Sequence, residues 1–192
     1  MKYVKILGLA AVAAMAMMAF AGSASATTLE VGGVAQNKSV TIEASIAAGG
    51  SAILKDTNNA TVDTCTGSVV KGSTSSPFSA EKVTGAVSSL TFTGCSHKTT
   101  VLKPGKLYIT WEGGTNGDVF SEEAEVTVES TIFGASCIAK TGTGTTIGTL
   151  DGVASGHATM TINGVIPMGL CGDAIWSGNY TVTSPAGLGV VN

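Results

Sequence analysis

The feature that most constrains this chain is an alternation of apolar and polar residues, one position at a time. Val40, Ile42, Ala44 and Ile46 alternate with Ser39, Thr41, Glu43 and Ser45. Leu107, Ile109 and Trp111 alternate with Lys106, Tyr108 and Thr110, and Val126 and Val128 with Glu125, Thr127 and Glu129. Ala158, Met160 and Ile162 repeat the pattern against Thr159, Thr161 and Asn163. Successive side chains of a strand point to opposite faces, so a period of two predicts strands with one buried and one wetted face. The helical period is nearly absent after residue 26.

Turn residues punctuate these runs. Asn163-Gly164, between Ile162 and Val165-Ile166, predicts a two-residue hairpin, because a type I′ turn needs positive φ at both central positions. Asn116-Gly117, Gly49-Gly50 and Asn58-Asn59 predict further turns, and the stretches 71–79 and 141–148 read as loops or loosely specified edge strands. Short strands between frequent glycine turns predict an all-β fold. The expected form is an antiparallel sandwich of about ten strands, with a barrel as the alternative.

The N-terminus carries Lys2 and Lys5, an apolar run from Ile6 to Phe20, and the small residues Ala24-Ser25-Ala26. This is the layout of a signal peptide cleaved after Ala26, which leaves residues 27–192 as one exported domain. The run falls short of the roughly 20 residues of a membrane span, and no cysteine near the cut offers a lipid anchor. The expected location is extracellular or at the cell surface, with the periplasm as the alternative.

Four cysteines, Cys65, Cys95, Cys137 and Cys171, lie far apart in this exported chain and include no C-x-x-C pair. Disulfides are therefore expected rather than zinc. Three pairings are open, and neighbouring strands favour Cys65 with Cys95 and Cys137 with Cys171. In the stretch 169–181, GLCGDAIWSGNYT, Cys171 then reads as a staple and not as a nucleophile beside Asp173.

The formal net charge is −3, lysines supply all the basic side chains, and arginine is missing altogether. Phosphate neutralisation and base readout need clustered cations, so nucleic acid is not an expected partner. Charged residues are only 12% of the chain, so hydroxyls and amides wet the surface more than ions do. Neutral, sugar-like or apolar material suits such a surface.

No residue set announces catalysis, a cofactor or a metal. His97 and His157 are the only histidines, neither accompanies a G-x-S-x-G elbow, and both read as solvent-facing. Asp118, Glu122, Glu123, Glu125 and Glu129 form one acidic concentration without the pattern of a calcium loop. Glu125 and Glu129 share a solvent face and read as a charged strand edge that discourages edge pairing. Paired carboxylates for glycoside hydrolysis could be drawn from this group, though nothing selects two of them. Trp111 and Trp176 fall on apolar faces and read as core, which leaves Tyr108 as the candidate for surface contact.

The run Val-Leu-Lys-Pro-Gly-Lys-Leu-Tyr-Ile-Thr-Trp at 101–111 and the ending Leu-Cys-Gly-Asp-Ala-Ile-Trp-Ser-Gly-Asn-Tyr-Thr-Val-Thr-Ser-Pro at 170–185 join the signal peptide and the four cysteines in a familiar layout. It resembles the small secreted bacterial proteins called activators of alkane oxidation. That resemblance implies a non-catalytic protein of the cell surface or biofilm matrix that aids contact with hydrophobic substrates. The expected partners are hydrophobic or polysaccharide material or other surface components. Two alternatives stay open. One is a fibre subunit that self-associates by adding the strand from Leu29-Glu30-Val31, or the apolar end 187–191, to a neighbour. The other is a secreted hydrolase that uses Glu122, Glu123 and Glu125.

Overall fold

The computed structural model describes residues 26–75, 79–130 and 134–192, so the segment read as a signal peptide lies outside the described residues except for Ala26. In chain order the strands are β1 (Thr27–Val31), β2 (Val34–Ala35), β3 (Thr41–Ile46), β4 (Ala52–Asp56), β5 (Thr61–Thr74), β6 (Ser79–Ala80), β7 (Val83–Cys95), β8 (Thr99–Lys103), β9 (Lys106–Gly113), β10 (Asn116–Glu122), β11 (Glu125–Ser130), β12 (Ala135–Lys140), β13 (Thr145–Asp151), β14 (Thr159–Pro167), β15 (Asp173–Ser184) and β16 (Leu188–Val191). A single 3-10 turn, Gly169–Cys171, interrupts them.

The all-β expectation holds, and the strands close into an eight-stranded barrel rather than two facing sheets. Around the ring run β3, β5, β7, β9, β10, β13, β14 and β15, each antiparallel to the next, until β15 returns to β3. Thr181 on β15 pairs with Thr159 of β14 on one side and with Ser45 of β3 on the other, so this strand has no free edge. Alternation cannot separate the two architectures, because both give each strand one buried face. The deciding pairing joins the first strand of the ring to the last. β3 and β4 share one slot between β5 and β15, and the turn at Gly49, with φ of 75°, carries the chain out between them.

Several turn expectations change. Asn116-Gly117 opens β10, and the turn before it falls at Gly114-Thr115. β14 runs straight through Asn163-Gly164, and Gly164 faces inward opposite Trp176. A Cβ there would lie 2.7 Å from Ile147 Cα, so the glycine serves a close approach of two backbones and not a hairpin. The stretch 71–79 is strand as far as Thr74, and 141–148 becomes strand from Thr145.

Each end of the ring is covered. Over one end β1 lies beside β16, and Leu29, Leu188 and Val190 from this pair join Val119, Ile147 and Leu150 in a continuous buried core. Burying each such side chain stabilises by about 1.5–3 kcal/mol relative to leaving it exposed. Thr27 fixes the pair to the barrel, donating from Oγ1 to Glu81 O at 3.0 Å and accepting from Trp111 N at 2.9 Å. Over the other end lies a small sheet ordered β12-β11-β8, whose Val128, Cys137 and Ala139 form a second core with Val62, Ile166 and Ala174.

Two disulfides are present. Cys65 and Cys95 stand directly opposite each other on β5 and β7, while Cys137 and Cys171 tie β12 to the 3-10 turn. The outer wall is polar at mid-height, where Thr149, Thr161 and Asn179 sit side by side on neighbouring strands. A barrel facing lipid carries an apolar band there instead. Among the described residues, no helix is long and apolar enough to cross a membrane.

Candidate functional site

Along the barrel axis two apolar chambers lie end to end. The one under β8, β11 and β12 has a volume of about 90 Å³, and its wall includes Leu54, Phe92, Val126, Ile162, Ile166 and Trp176. The one under β1 and β16 has about 80 Å³ and is walled by residues such as Leu29, Ile42, Ala44, Val119 and Leu188. Val70, Val87, Leu107 and Met160 line both, so the two chambers adjoin at these side chains. The inward period-two residues put these side chains in the lumen. Eight strands leave an interior just wide enough to be filled by side chains or to hold one small ligand.

An aromatic set marks the first chamber. Trp176 makes edge contacts with Phe92 at 6.2 Å and with Tyr180 at 6.3 Å between ring centroids. Its ring packs against both hydrophobic cores, so it stands at the junction of the two. The Tyr180 hydroxyl donates to Ser68 Oγ at 3.0 Å, and burial, against that hydrogen bond, pushes its pKa up to about 12. Other polar groups on this wall are also satisfied: Thr99 Oγ1 donates to Asp63, and the Ser121 and Thr141 hydroxyls share a bond of 3.1 Å. Trp176 Nε1 differs. Among the described residues it is the one buried side-chain nitrogen or oxygen with no hydrogen-bond partner. An unpaired buried donor of this kind costs about 1–3 kcal/mol.

Asp63 builds a second polar cluster at the rim. It is 3% exposed, and Oδ1 accepts from Thr64 N, Ser96 Oγ and His97 N while Oδ2 accepts from Thr99 Oγ1. Burial raises its pKa, but these four donors outweigh it and hold the carboxyl below its ordinary value. Asp63, Ser96 and His97 superficially form a nucleophile triad. In such a relay the imidazole uses one nitrogen for the hydroxyl and the other for the carboxylate. Here Ser96 Oγ donates to Asp63 at 2.8 Å, and the same His97 Nδ1 faces both the Ser96 hydroxyl, at 3.3 Å, and the Asp63 carboxylate, at 3.8 Å. The cluster therefore fixes the 96–99 turn and leaves the hydroxyl unactivated.

The other sequence candidates fall elsewhere. Tyr108 faces outward but is only 7% exposed, because its ring stacks on Phe120 at 4.7 Å and Lys82 Nζ sits 3.9 Å above it. That covering corrects its assignment as a surface contact. The acidic group disperses into ion pairs. Glu125 binds Lys103 at 2.9 Å and Lys140 at 3.3 Å, Glu129 binds Lys98 at 2.8 Å, and Glu123 binds Lys106 at 3.1 Å. Glu122 lies 4.0 Å from Lys82, and Asp118 stands apart between Thr110 and Thr149. Glu125 and Glu129 are on β11, the middle strand of its sheet, so they do not guard an edge. His157 is exposed, with Nδ1 2.8 Å from Val182 O. The Cys65 and Cys95 sulfurs near Asp63 are consumed in a disulfide and are not thiolate ligands.

Fold and lumen together define an up-and-down antiparallel β-barrel with an apolar interior. No family model, no curated protein and no solved structure matches the chain. The alternation indicated which residues face inward, Trp176 among them. It carried no signal that Phe92, Met160 and Tyr180 meet around a cavity, nor that Asp63 gathers the 96–99 turn.

Proposed function

We propose that this chain is an exported, non-catalytic barrel that takes small apolar molecules into its lumen and so promotes contact between the cell surface and hydrophobic material. The observation that carries the reading is the pair of adjoining chambers with largely aliphatic and aromatic walls. Together they slightly exceed the roughly 150 Å³ in which a dry engineered cavity holds benzene. On this reading, the contact with hydrophobic substances expected from the sequence is made inside the barrel.

The methionines supply the test. After residue 26 the chain holds only Met160, which lines both chambers, and Met168, which is buried in the second core. Methyl-labelled protein saturated with n-hexane should show a shifted Met160 signal and an unmoved Met168 signal. Val70→Phe, which places a ring where the two chambers adjoin, should abolish the shift. An unmoved Met160 methyl at hexane saturation would count decisively against the reading.

A further inference from the structure

We infer that the Cys137–Cys171 disulfide is the latch of the first chamber, and that cleaving it lets the β11–β12 hairpin swing aside so that the chamber exchanges ligand with solvent. This deepens the proposal of a ligand-holding lumen and rests on it. The hairpin forms the roof, since Val126, Val128 and Ala139 all line the chamber. Its base is stitched together where the chain leaves β10 and enters β13. There Glu123 N donates to Thr141 O at 2.9 Å, Thr141 N to Ala124 O at 3.1 Å, and Ala124 N to Thr141 Oγ1 at 3.0 Å. Along one flank β11 pairs with β8, which the Asp63 cluster fastens to the ring. Along the other flank β12 is the last strand of its sheet, and the disulfide carries it across to the 3-10 turn with the two Cα atoms 6.0 Å apart. Beside that bond the seam is packed by side chains, with Ala139 sharing a core with Ile166, Met168 and Ala174.

The seam borders the chamber, because Ala139 on one side of it and Ile166 on the other both line the wall. Other routes are closed by hydrogen bonds. Each neighbouring pair of strands in the ring forms a ladder. The opposite end is tied on both flanks: Trp111 N donates to Thr27 Oγ1, while Val153 N donates to Leu188 O at 2.9 Å and Val190 N to Thr115 O at 3.1 Å. Packed side chains part without breaking a ladder, so local opening follows the β12 seam once the covalent tie is cut. The cut needs a dithiol reductant. Cys171 is half-buried and Cys137 is buried, so the reductant's thiolate bonds to Cys171 Sγ and expels Cys137 as a thiolate. Its second thiol then displaces Cys171; the reductant leaves as a disulfide, two electrons pass to the protein, and both cysteines end as thiols. The oxidised chain thus retains its ligand and the reduced chain releases it.

The experiment measures how fast n-hexane enters and leaves the protein, by exchange spectroscopy on the Met160 methyl, in the parent and in Cys137→Ala/Cys171→Ala. A latch hinders passage in both directions, so the association and dissociation rates should rise together by about tenfold or more when it is removed. Unchanged rates overturn the latch, and so does a dissociation rate that rises alone, which marks a loosened wall; the lumen reading stands in both cases. Should the double variant not fold, the same rates are followed in the parent during reduction by dithiothreitol, with alkylation and peptide mapping to tell which disulfide has opened. Faster exchange that tracks the opening of Cys137–Cys171 supports the latch, and exchange that tracks Cys65–Cys95 or neither bond overturns it. Failure of n-hexane to move the parent's Met160 signal overturns both readings.

Discussion

The Asp63 carboxylate on β5 accepts the Thr99 hydroxyl of β8 at 2.5 Å, and this bond joins the barrel wall to the sheet that covers one end. Because hydrogen bonds hold the Asp63 carboxyl below the ordinary value of 3.8, its contribution to stability is complete above that pH. The contribution is lost as pH falls through the lower folded value. Asp63→Asn should cost about 1–3 kcal/mol at neutral pH. Denaturant midpoints of the variant and the parent should converge as the solution is taken below about pH 4, and a constant gap down to pH 2 would contradict the account.

At the alkaline side the sign reverses for Tyr180. Its pKa of about 12 lies above the ordinary 10, so its stabilising contribution is whole below pH 10 and is lost as pH rises toward 12. Ultraviolet titration of the protein should resolve a late phenol that is missing from Tyr180→Phe. That variant should also lose about 1 kcal/mol at neutral pH, since Ser68 is left buried without its donor.

Gly164 and Gly142 provide a matched pair. A Cβ at Gly164 meets Ile147 Cα at 2.7 Å and Thr146 O at 3.0 Å, whereas one at Gly142 comes no closer than 4.0 Å to Thr145 Oγ1. Gly164→Ala should cost about 3 kcal/mol by forcing β13 and β14 apart, and Gly142→Ala should stay within about 0.5 kcal/mol of the parent. Thermal unfolding of the two variants side by side is sufficient. Comparable midpoints would restore the hairpin reading of Asn163-Gly164.

The two disulfides close loops of similar size, with partners 30 and 34 residues apart, so each removal should cost roughly 3.5 kcal/mol in the chain-entropy account. Their local effects should differ. Cys65–Cys95 joins strands that already pair, while Cys137–Cys171 ties the end sheet to the turn after β14. Hydrogen exchange on β11 and β12 should accelerate in the Cys137→Ala/Cys171→Ala variant and stay near parental in Cys65→Ala/Cys95→Ala. The opposite pattern would mean that the end sheet is held by its own packing.

A large part of the fold is legible along the chain because the responsible physics is local. Met160 and Ile162 face inward and Thr159 and Thr161 face outward by the geometry of a single strand. Neighbouring strands favoured the cysteine pairs before any contact was known. Local reasoning failed where a residue answers to a distant backbone. Gly164 reads locally as a turn residue, yet β13 packs against it, and Glu125 reads as an edge guard, yet Lys103 and Lys140 from the two flanking strands pair with it.

The sequence by itself determined strands, their buried faces and the chemistry of a sparsely charged, arginine-free surface, since each depends on composition or on residues only a few positions apart. The tertiary structure decided that β15 meets β3, and the lumen follows from that closure. A ring of eight strands has an inside, and its width depends on strand number and tilt, which no single segment encodes. The same closure set Trp176 and Tyr180 of β15 against Phe92 of β7 inside the ring, a contact no single segment encodes.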